Sequence, residues 1–313
     1  MTKPKVLITD DVHPILIQSL EKHYQVDFKP AMTYAEVQAL VHDYTGLIIN
    51  SKIICNPTFI DHASQLKFIG RLGSGREVVD IPYAESRGIK VYFSPEGNKN
   101  AVAEHALGML LALARQLVPA DGDVRQQKWA REARRGWELS EKTIGIIGFG
   151  ETGSQFTKKL QSLDMVILVH DKYKTNFLEE YPYVKEASKE QIMSEADIIS
   201  FHLPWAADTV HYANAGFFEH CKQGTIILNT SRGHVIDTKA LIESLELGHI
   251  GGACLDVFEN EKTNTFSEAE QTMYTRLYQM NQVVLSPHIA GWTHESKYKM
   301  AQVLVSKILG EDQ

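Results

Sequence analysis

The sequence predicts an α/β architecture of two domains, each built on a parallel sheet covered by helices on both faces. Three observations predict it. Short β-branched runs alternate with longer amphipathic stretches along the chain, and such alternation favours parallel sheets buried on both faces. The alternation comes in two series, one ahead of residue 100 and one starting at Thr143. The 313 residues also suit two domains of roughly 100–200 residues each.

In the first series Val6-Leu7-Ile8 reads as a strand, followed by a helical pattern from Pro14 to His23. Gly46-Leu47-Ile48-Ile49-Asn50, Leu66-Lys67-Phe68-Ile69-Gly70 and Ile89-Lys90-Val91-Tyr92 read as three more buried strands. A long helix is expected from Val102 to about Leu117, rich in Ala, Leu and Met. It is apolar on more than one face, so both sides should be covered, as at a domain junction or a subunit interface. A polar, charged arm follows from Asp121 to Lys142, with Trp129, Trp137 and four arginines. The second series gives strands at Ile144–Ile147, Met165–Val169, Asp197–Ser200, Gly224–Asn229, Gly252–Leu255 and Gln282–Leu285. Lys262 to Met280 reads as a long polar loop, and Glu295 to Leu309 as a final helix.

Composition narrows the function. With 39 acidic and 32 Lys+Arg side chains the formal net charge is −7, which argues against nucleic acid as a partner, since phosphate binding needs a basic face. Hydrophobic residues at 43% and charged ones at 23% supply large cores and exclude a disordered chain. The apolar stretch Ala106 to Ala114 is far short of the roughly twenty residues a membrane span requires. Met1-Thr2-Lys3-Pro4-Lys5 runs straight into the first strand, with no signal-peptide apolar region. Cys55, Cys221 and Cys254 are too few and too scattered for a metal site, and they read as reduced core residues of a cytoplasmic protein.

The strongest local signal is Gly148-Phe149-Gly150-Glu151-Thr152-Gly153, set between the strand ending at Ile147 and a helical pattern from Ser154 to Leu163. The first glycine makes a tight turn, the second admits a pyrophosphate to the backbone, and the third packs helix on strand. Amides at the helix start then face the anion. Asp171 stands at the end of the next strand, where a carboxylate can bond the adenosine ribose hydroxyls and repel a 2′-phosphate, so NAD is expected over NADP. Glu151 suits the helix dipole but would crowd a second anion, and its side chain is expected to point away.

Three polar islands follow buried strands: Asn229-Thr230-Ser231-Arg232-Gly233, Asp256-Val257-Phe258-Glu259-Asn260-Glu261 and Ser286-Pro287-His288-Ile289-Ala290-Gly291. In an open α/β sheet that edge binds ligands. A reaction that leaves charge on a carbonyl oxygen at that edge calls for a fixed cation and a proton donor. Arg232 can grip a carboxylate in bidentate fashion. His288 can run proton transfer in both directions, and a neighbouring carboxylate favours its imidazolium. Taken singly, Arg232 also reads as a surface residue and His288 as a strand cap, and Glu259 rivals Glu261.

Together with the glycine turn, these islands resemble the D-isomer-specific 2-hydroxyacid dehydrogenase family over nearly the whole chain. Arg71-Leu72-Gly73-Ser74-Gly75 is similar to the family's substrate loop, and Asn100-Ala101-Val102-Ala103-Glu104-His105 to the opening of its interdomain helix. Phe201-His202-Leu203-Pro204 with Thr209 is similar to its cofactor-flanking stretch. The resemblance implies a Rossmann-type NAD-binding domain over 100–289, a flavodoxin-like substrate domain over 1–99 and 290–313, and an active site in the cleft between them. It implies that Arg232 holds the substrate carboxylate, that His288 is the acid/base, and that Glu261, five residues past Asp256, pairs with His288. Asp256 would contact the nicotinamide side of the cofactor. The glycine turn with Glu151 and Thr152, Asp171, His202, Pro204 and Thr209, then Thr230, Ser231 and Gly291, would complete the cofactor site. Lys52, Arg71, Gly73, Ser74 and Trp292 would join Arg232 around the substrate.

Some positions depart from the family pattern. Lys262 follows Glu261 where proline is usual, and Trp292 replaces a small residue; it either narrows the pocket or packs against the hinge. The resemblance extends to short phosphoglycerate dehydrogenases, so 3-phosphoglycerate is the expected substrate, although Asn50 stands where many of them carry arginine. Arg131, Arg134 and Arg135 either reach a neighbouring subunit's cleft or form a solvated arm. With the chain ending at Gln313, no C-terminal regulatory domain is expected. Glyoxylate or hydroxypyruvate reduction is the alternative within the class, and a dinucleotide-sensing, corepressor-like binding protein the alternative outside it. A homodimer is expected, formed through the apolar helix and the arm.

Overall fold

The computed structural model describes residues 3–310; Met1, Thr2 and the last three positions lie outside them. The chain forms two compact units, one of Met1–Lys99 with Trp292–Gln313 and the other of Asn100–Gly291.

The first unit is a five-stranded sheet of β1 (Lys5–Ile8), β2 (Gln25–Phe28), β3 (Gly46–Ile49), β4 (Phe68–Arg71) and β5 (Lys90–Phe93). The order is β2-β1-β3-β4-β5, and every pairing is parallel. That is the flavodoxin-like order. Successive side chains in a strand point to opposite faces, and the core divides accordingly. Leu7, Leu47, Ile49 and Ile69 pack into one cluster. Val6, Ile8, Ile48 and Phe68 pack into another, closed by Ala301, Leu304 and Val305 of the helix His294–Leu309.

The second unit is a seven-stranded sheet of β6 (Thr143–Ile147), β7 (Val166–His170), β8 (Lys185–Glu186), β9 (Ile198–Phe201), β10 (Thr225–Asn229), β11 (Ile250–Leu255) and β12 (Val283–Leu285). The order is β12-β11-β10-β9-β6-β7-β8, again parallel throughout. Ile144, Ile146, Ile198, Ile226 and Leu228 face one core, while Ile147, Ile199, Phe201 and Ile227 face the other. The strand order reverses between β6 and β9, and in doubly wound sheets a dinucleotide lies in the crevice at that point.

Several elements differ from the sequence-based expectation. The long helix starts at Pro95, not Val102, and ends at Ala114; proline is suited to a first turn, where its missing N–H costs nothing. Gln116 in the left-handed region (φ 49°) breaks the chain, and a second helix, Leu117–Arg125, runs into the start of what reads as an arm. The supposed loop from Lys262 to Met280 contains the helix Glu268–Tyr278, opened by a Ser267–Glu270 capping box. The edge strands β2 and β8 have no counterpart among the expected strands. Both are exposed or half-exposed and largely polar, so they lack the apolar run by which a buried parallel strand is read.

Candidate active site

The glycine turn follows β6 and meets the end of β9. Gly148 has φ 94°, a region where a side chain is strained, and a Cβ there would lie 2.5 Å from the His202 carbonyl oxygen. A Cβ on Gly153 would collide with the Gly148 carbonyl. Both glycines therefore serve close packing of turn, helix and strand. Gly150 differs, since a Cβ there meets nothing within 4 Å. It is also the N-cap of the helix Glu151–Leu160, whose first amides receive no side-chain cap. Open space beside uncapped amides at a positive helix end is a fitting receptor for a pyrophosphate. Glu151 is exposed in that first turn.

Asp171, just past β7, braces the same turn. Its Oδ2 accepts from the Phe149 amide at 2.6 Å, and its Oδ1 from the amides of Tyr173 and Lys174 at 2.9 Å each. Burial opposes ionisation of this carboxyl, but the three amides and the Lys174 charge outweigh it and hold the pKa below the usual carboxylate range. The sequence places Asp171 at the ribose, and the structure adds this bracing role. His202, at the end of β9, is buried among Ser200 (2.8 Å to Nε2) and Thr152 (3.3 Å to Nδ1). Burial pushes its pKa down to about 3, so the ring is neutral and ties β9 to the helix after the turn. Thr209 accepts from the Ala206 amide at 2.9 Å and donates to the Pro204 carbonyl at 2.8 Å, shaping the next loop.

The polar islands leave β10, β11 and β12, three adjacent strands in which Asn229, Leu255 and Leu285 share a register. At about 4.8 Å between neighbouring strands, all three island loops open on the same edge of one sheet. In the first, fully buried Asn229 folds the chain back. Its Oδ1 accepts from the Ser231 amide and hydroxyl at 3.0 and 2.7 Å, and its Nδ2 donates to the Arg232 carbonyl at 2.9 Å. Ser231, expected at the cofactor, thus shapes the Arg232 loop. Gly233 lies so close to the Phe258 carbonyl that a Cβ would collide with it, which seats the Arg232 loop on the β11 loop. Arg232 is half-buried, and its Nη1 donates to the Ser231 carbonyl at 2.7 Å. Thr230 is 8% exposed and its Oγ1 has no hydrogen-bond partner. A buried hydroxyl left unsatisfied calls for a further polar group, and its position past β10 suits a bound cofactor.

Distances decide between the two glutamates. Glu261 Oε2 lies 2.8 Å from His288 Nδ1, and Glu261 Oε1 accepts from the Phe258 amide at 3.3 Å. Glu259 instead pairs with His211 Nε2 at 2.8 Å and accepts from the Thr238 amide at 2.8 Å. A carboxylate can only accept, so Nδ1 of His288 carries a proton and Nε2 is the pole that exchanges one. The His288 and Glu261 side chains are 48% and 40% exposed, open to a reactant. His288 also stands at φ 56°, a left-handed backbone rare outside glycine and asparagine and concentrated at functional sites.

Asp256, expected to contact the nicotinamide, is fully buried. Its carboxylate accepts from Ser286 Oγ (2.6 Å) and from the amides of Ile289 (2.9 Å) and Ala290 (2.8 Å). Burial works against the charge, but His105, Ser286 and the two amides prevail and keep its pKa low. Here the carboxylate is committed to the His288 loop, because a buried charge must be satisfied by donors close at hand. Gly291 follows that loop and is half-buried.

In the first unit, Lys52 Nζ lies 2.5 Å from the Thr9 carbonyl and 2.9 Å from that of Pro30. These two bonds tie the side chain expected at the substrate to the ends of β1 and β2. Arg71 ends β4, and its guanidinium overlies Gly73, whose amide donates to Ser94 Oγ at 3.0 Å. Ser74 is half-buried beside them. Trp292 is 72% exposed. Arg134 and Arg135 pair with Asp123 and Glu132 at 2.6 and 2.7 Å, the first pair part-buried and the second exposed. Asn229 and His105 escaped the sequence reading of the site. The turn signal of asparagine before Thr-Ser-Arg could have found the first.

A dinucleotide crevice beside a carboxylate-paired histidine on the same sheet edge is the equipment of a nicotinamide-dependent oxidoreductase. Residues 107–290 match the model of the D-isomer specific 2-hydroxyacid dehydrogenase NAD-binding domain. The chain belongs to that family. It is 34% identical to a D-3-phosphoglycerate dehydrogenase of Synechocystis sp. over 98% of its own length, and spans about half (54%) of that relative. It is 32% identical to a glyoxylate reductase of Thermococcus litoralis, covering 98% of this chain and 93% of that one. Among solved structures, the TT0316 protein of Thermus thermophilus superposes with a TM-score of 0.84 at 30% identity, covering 97% of this chain and 96% of that one.

Proposed function

We propose that this chain is an NAD-dependent dehydrogenase of a small D-2-hydroxyacid, working reversibly on the matching 2-ketoacid. The observation that carries the reading is the His288–Glu261 pair, 2.8 Å apart, at the sheet edge that also bears Arg232. Arg232 binds the substrate carboxylate as a fixed cation. Glu261 holds Nδ1–H of His288 and so orients the ring, leaving Nε2 to give a proton to the ketone oxygen in reduction and to take it back in oxidation. The uncapped amides after Gly150, the Thr230 hydroxyl and Asp171 would hold the cofactor, which when bound supplies the hydride acceptor or donor. Asp171 disfavours a 2′-phosphate.

On substrate, 3-phosphoglycerate is the first reading, supported by the likeness to phosphoglycerate dehydrogenases. A specific observation favours the second, reduction of glyoxylate or hydroxypyruvate. Two of the three donors of the Lys52 ammonium are engaged on carbonyls, which leaves less of it for a phosphate, and the matching reductases are covered over most of their own length. We further propose a homodimer, because Leu117, Val118, Val124 and Trp129 are exposed on the helix and arm after Gln116. A cytoplasmic setting suits the three buried free thiols.

The test is NADH absorbance across 3-phosphoglycerate, hydroxypyruvate, glyoxylate, pyruvate and longer 2-ketoacids, with NADP(H) in parallel. One of these acids should turn over with NAD(H) preferred, and Arg232→Ala should lower kcat/KM on the order of a thousandfold. Near-normal turnover in that variant removes Arg232 from the mechanism, and silence across the panel defeats the reading.

A further inference from the structure

His105 has no part in the chemistry above, yet it reaches the loop that carries the acid/base. It projects from the helix Pro95–Ala114 and places Nε2 2.9 Å from Ser286 Oγ and 3.5 Å from Asp256 Oδ1. Ser286 Oγ is itself 2.6 Å from Asp256 Oδ1. A serine hydroxyl has one proton and a carboxylate has none to give. The Ser286 proton therefore goes to Asp256, and Ser286 accepts the Nε2–H of His105. The hydrogen bonds run in one direction, from His105 to Ser286 to Asp256.

Asp256 is where the loop is anchored. Its carboxylate takes the amides of Ile289 and Ala290, and its backbone carbonyl takes the amide of His288 at 2.7 Å. The residue two before His288 and the two after it thus share one buried acceptor. His288 itself stands at φ 56°, a conformation that persists only where its surroundings over-determine it.

We propose that His105 is a positioning residue: by donating to Ser286 it completes the clamp on Asp256 that holds the His288 backbone left-handed and aims Nε2 at the substrate oxygen. This rests on the reading of His288 as the proton donor. A hydrogen bond lost at one remove from the reacting group costs turnover through misalignment, while the cofactor groove past β6 is left alone.

The test compares His105→Ala, His105→Gln, Ser286→Ala and His288→Gln, assayed with NADH and glyoxylate, hydroxypyruvate or pyruvate. His105→Ala should lower kcat about tenfold with KM for NADH within about twofold. The glutamine variant, which keeps an N–H near the same place, should recover most of it. Amide hydrogen exchange of a peptide spanning 286–291 should quicken several-fold in His105→Ala and return towards wild type in His105→Gln. Unchanged kcat and unchanged exchange in His105→Ala overturn the proposal, as does a loss confined to KM for NADH. Should the alanine variant fail to fold, Ser286→Ala carries the test: it should show the same fall in kcat, and wild-type turnover there overturns the clamp. Retained turnover in His288→Gln defeats the proton-donor reading and this proposal with it. Loss there beside wild-type behaviour in His105→Ala defeats this proposal alone.

Discussion

Burying an imidazole turns its protonation into a matter of stability. His202 has its pKa pushed down to about 3 by burial, against about 6.5 in an unfolded chain. Above pH 6.5 both states hold the ring neutral. Below it the unfolded chain takes up a proton that the folded chain cannot, so stability is full above 6.5 and is lost as pH falls towards 3, by up to about 1.4 kcal/mol per pH unit. Thermal melts between pH 7.5 and 5 should therefore show a shallower acid decline in His202→Gln than in wild type, and equal slopes would refute the assignment. The low pKa values of Asp171 and Asp256 act in the same direction but only below about pH 4, outside that range. At this scale the sequence was informative about residue types and poor about partners. Glu261 and Glu259 sit two positions apart in one charged loop; residue type alone does not separate them, the resemblance assigns Glu261 to His288, and the fold puts those two 2.8 Å apart and sends Glu259 to His211. Nor does the sequence show that the Lys52 ammonium bonds the carbonyls of Thr9 and Pro30.

Elements were legible where burial writes a pattern. The apolar runs behind β1, β3 and β6 are readable because both of their faces are covered. The glycine turn is readable because its backbone geometry demands glycine at fixed spacing. The helix Glu268–Tyr278 was missed because few of its side chains are buried, chiefly Tyr274 and Leu277. Its signature lies in Ser267 and Glu270, which satisfy one another's end of the chain as a capping box. Ser267→Ala should cost about 1 kcal/mol, measurable as a lower midpoint in urea with an unchanged slope. No change in midpoint would mean that packing alone holds this helix. Because Asn260 is bonded to Glu270 and to the Tyr274 hydroxyl, the same helix steadies the loop that delivers Glu261.

For the whole molecule, two parallel sheets of different strand order account for both the length of the chain and its alternating pattern. Each unit buries two cores, one on each face of its sheet, and so has the material to fold as a unit. Leu117, Val118, Val124 and Trp129 after Gln116 gather exposed apolar side chains within one short stretch, the kind of surface that a partner covers. Light scattering should therefore return twice the 35.3 kDa chain mass, and replacing Val118 and Trp129 with lysine should shift the population towards monomer; a wild-type monomer would dispose of the proposed interface. Chain pairing is a property that one sequence read alone reveals only as unexplained greasy surface.

The unusual main-chain torsion at position 288 also bears on how this protein can be improved. Methods that raise heat tolerance by relaxing unusual torsion angles, or by installing the residue such angles normally prefer, would single out that site early. A glycine there would ease the main chain and remove the imidazole that pairs with Glu261, the group proposed to carry the proton. The molecule carries roughly 1 kcal/mol of discomfort at that spot, and a programme that ranks variants by robustness alone would discard it together with the imidazole on which the proposed proton transfer depends.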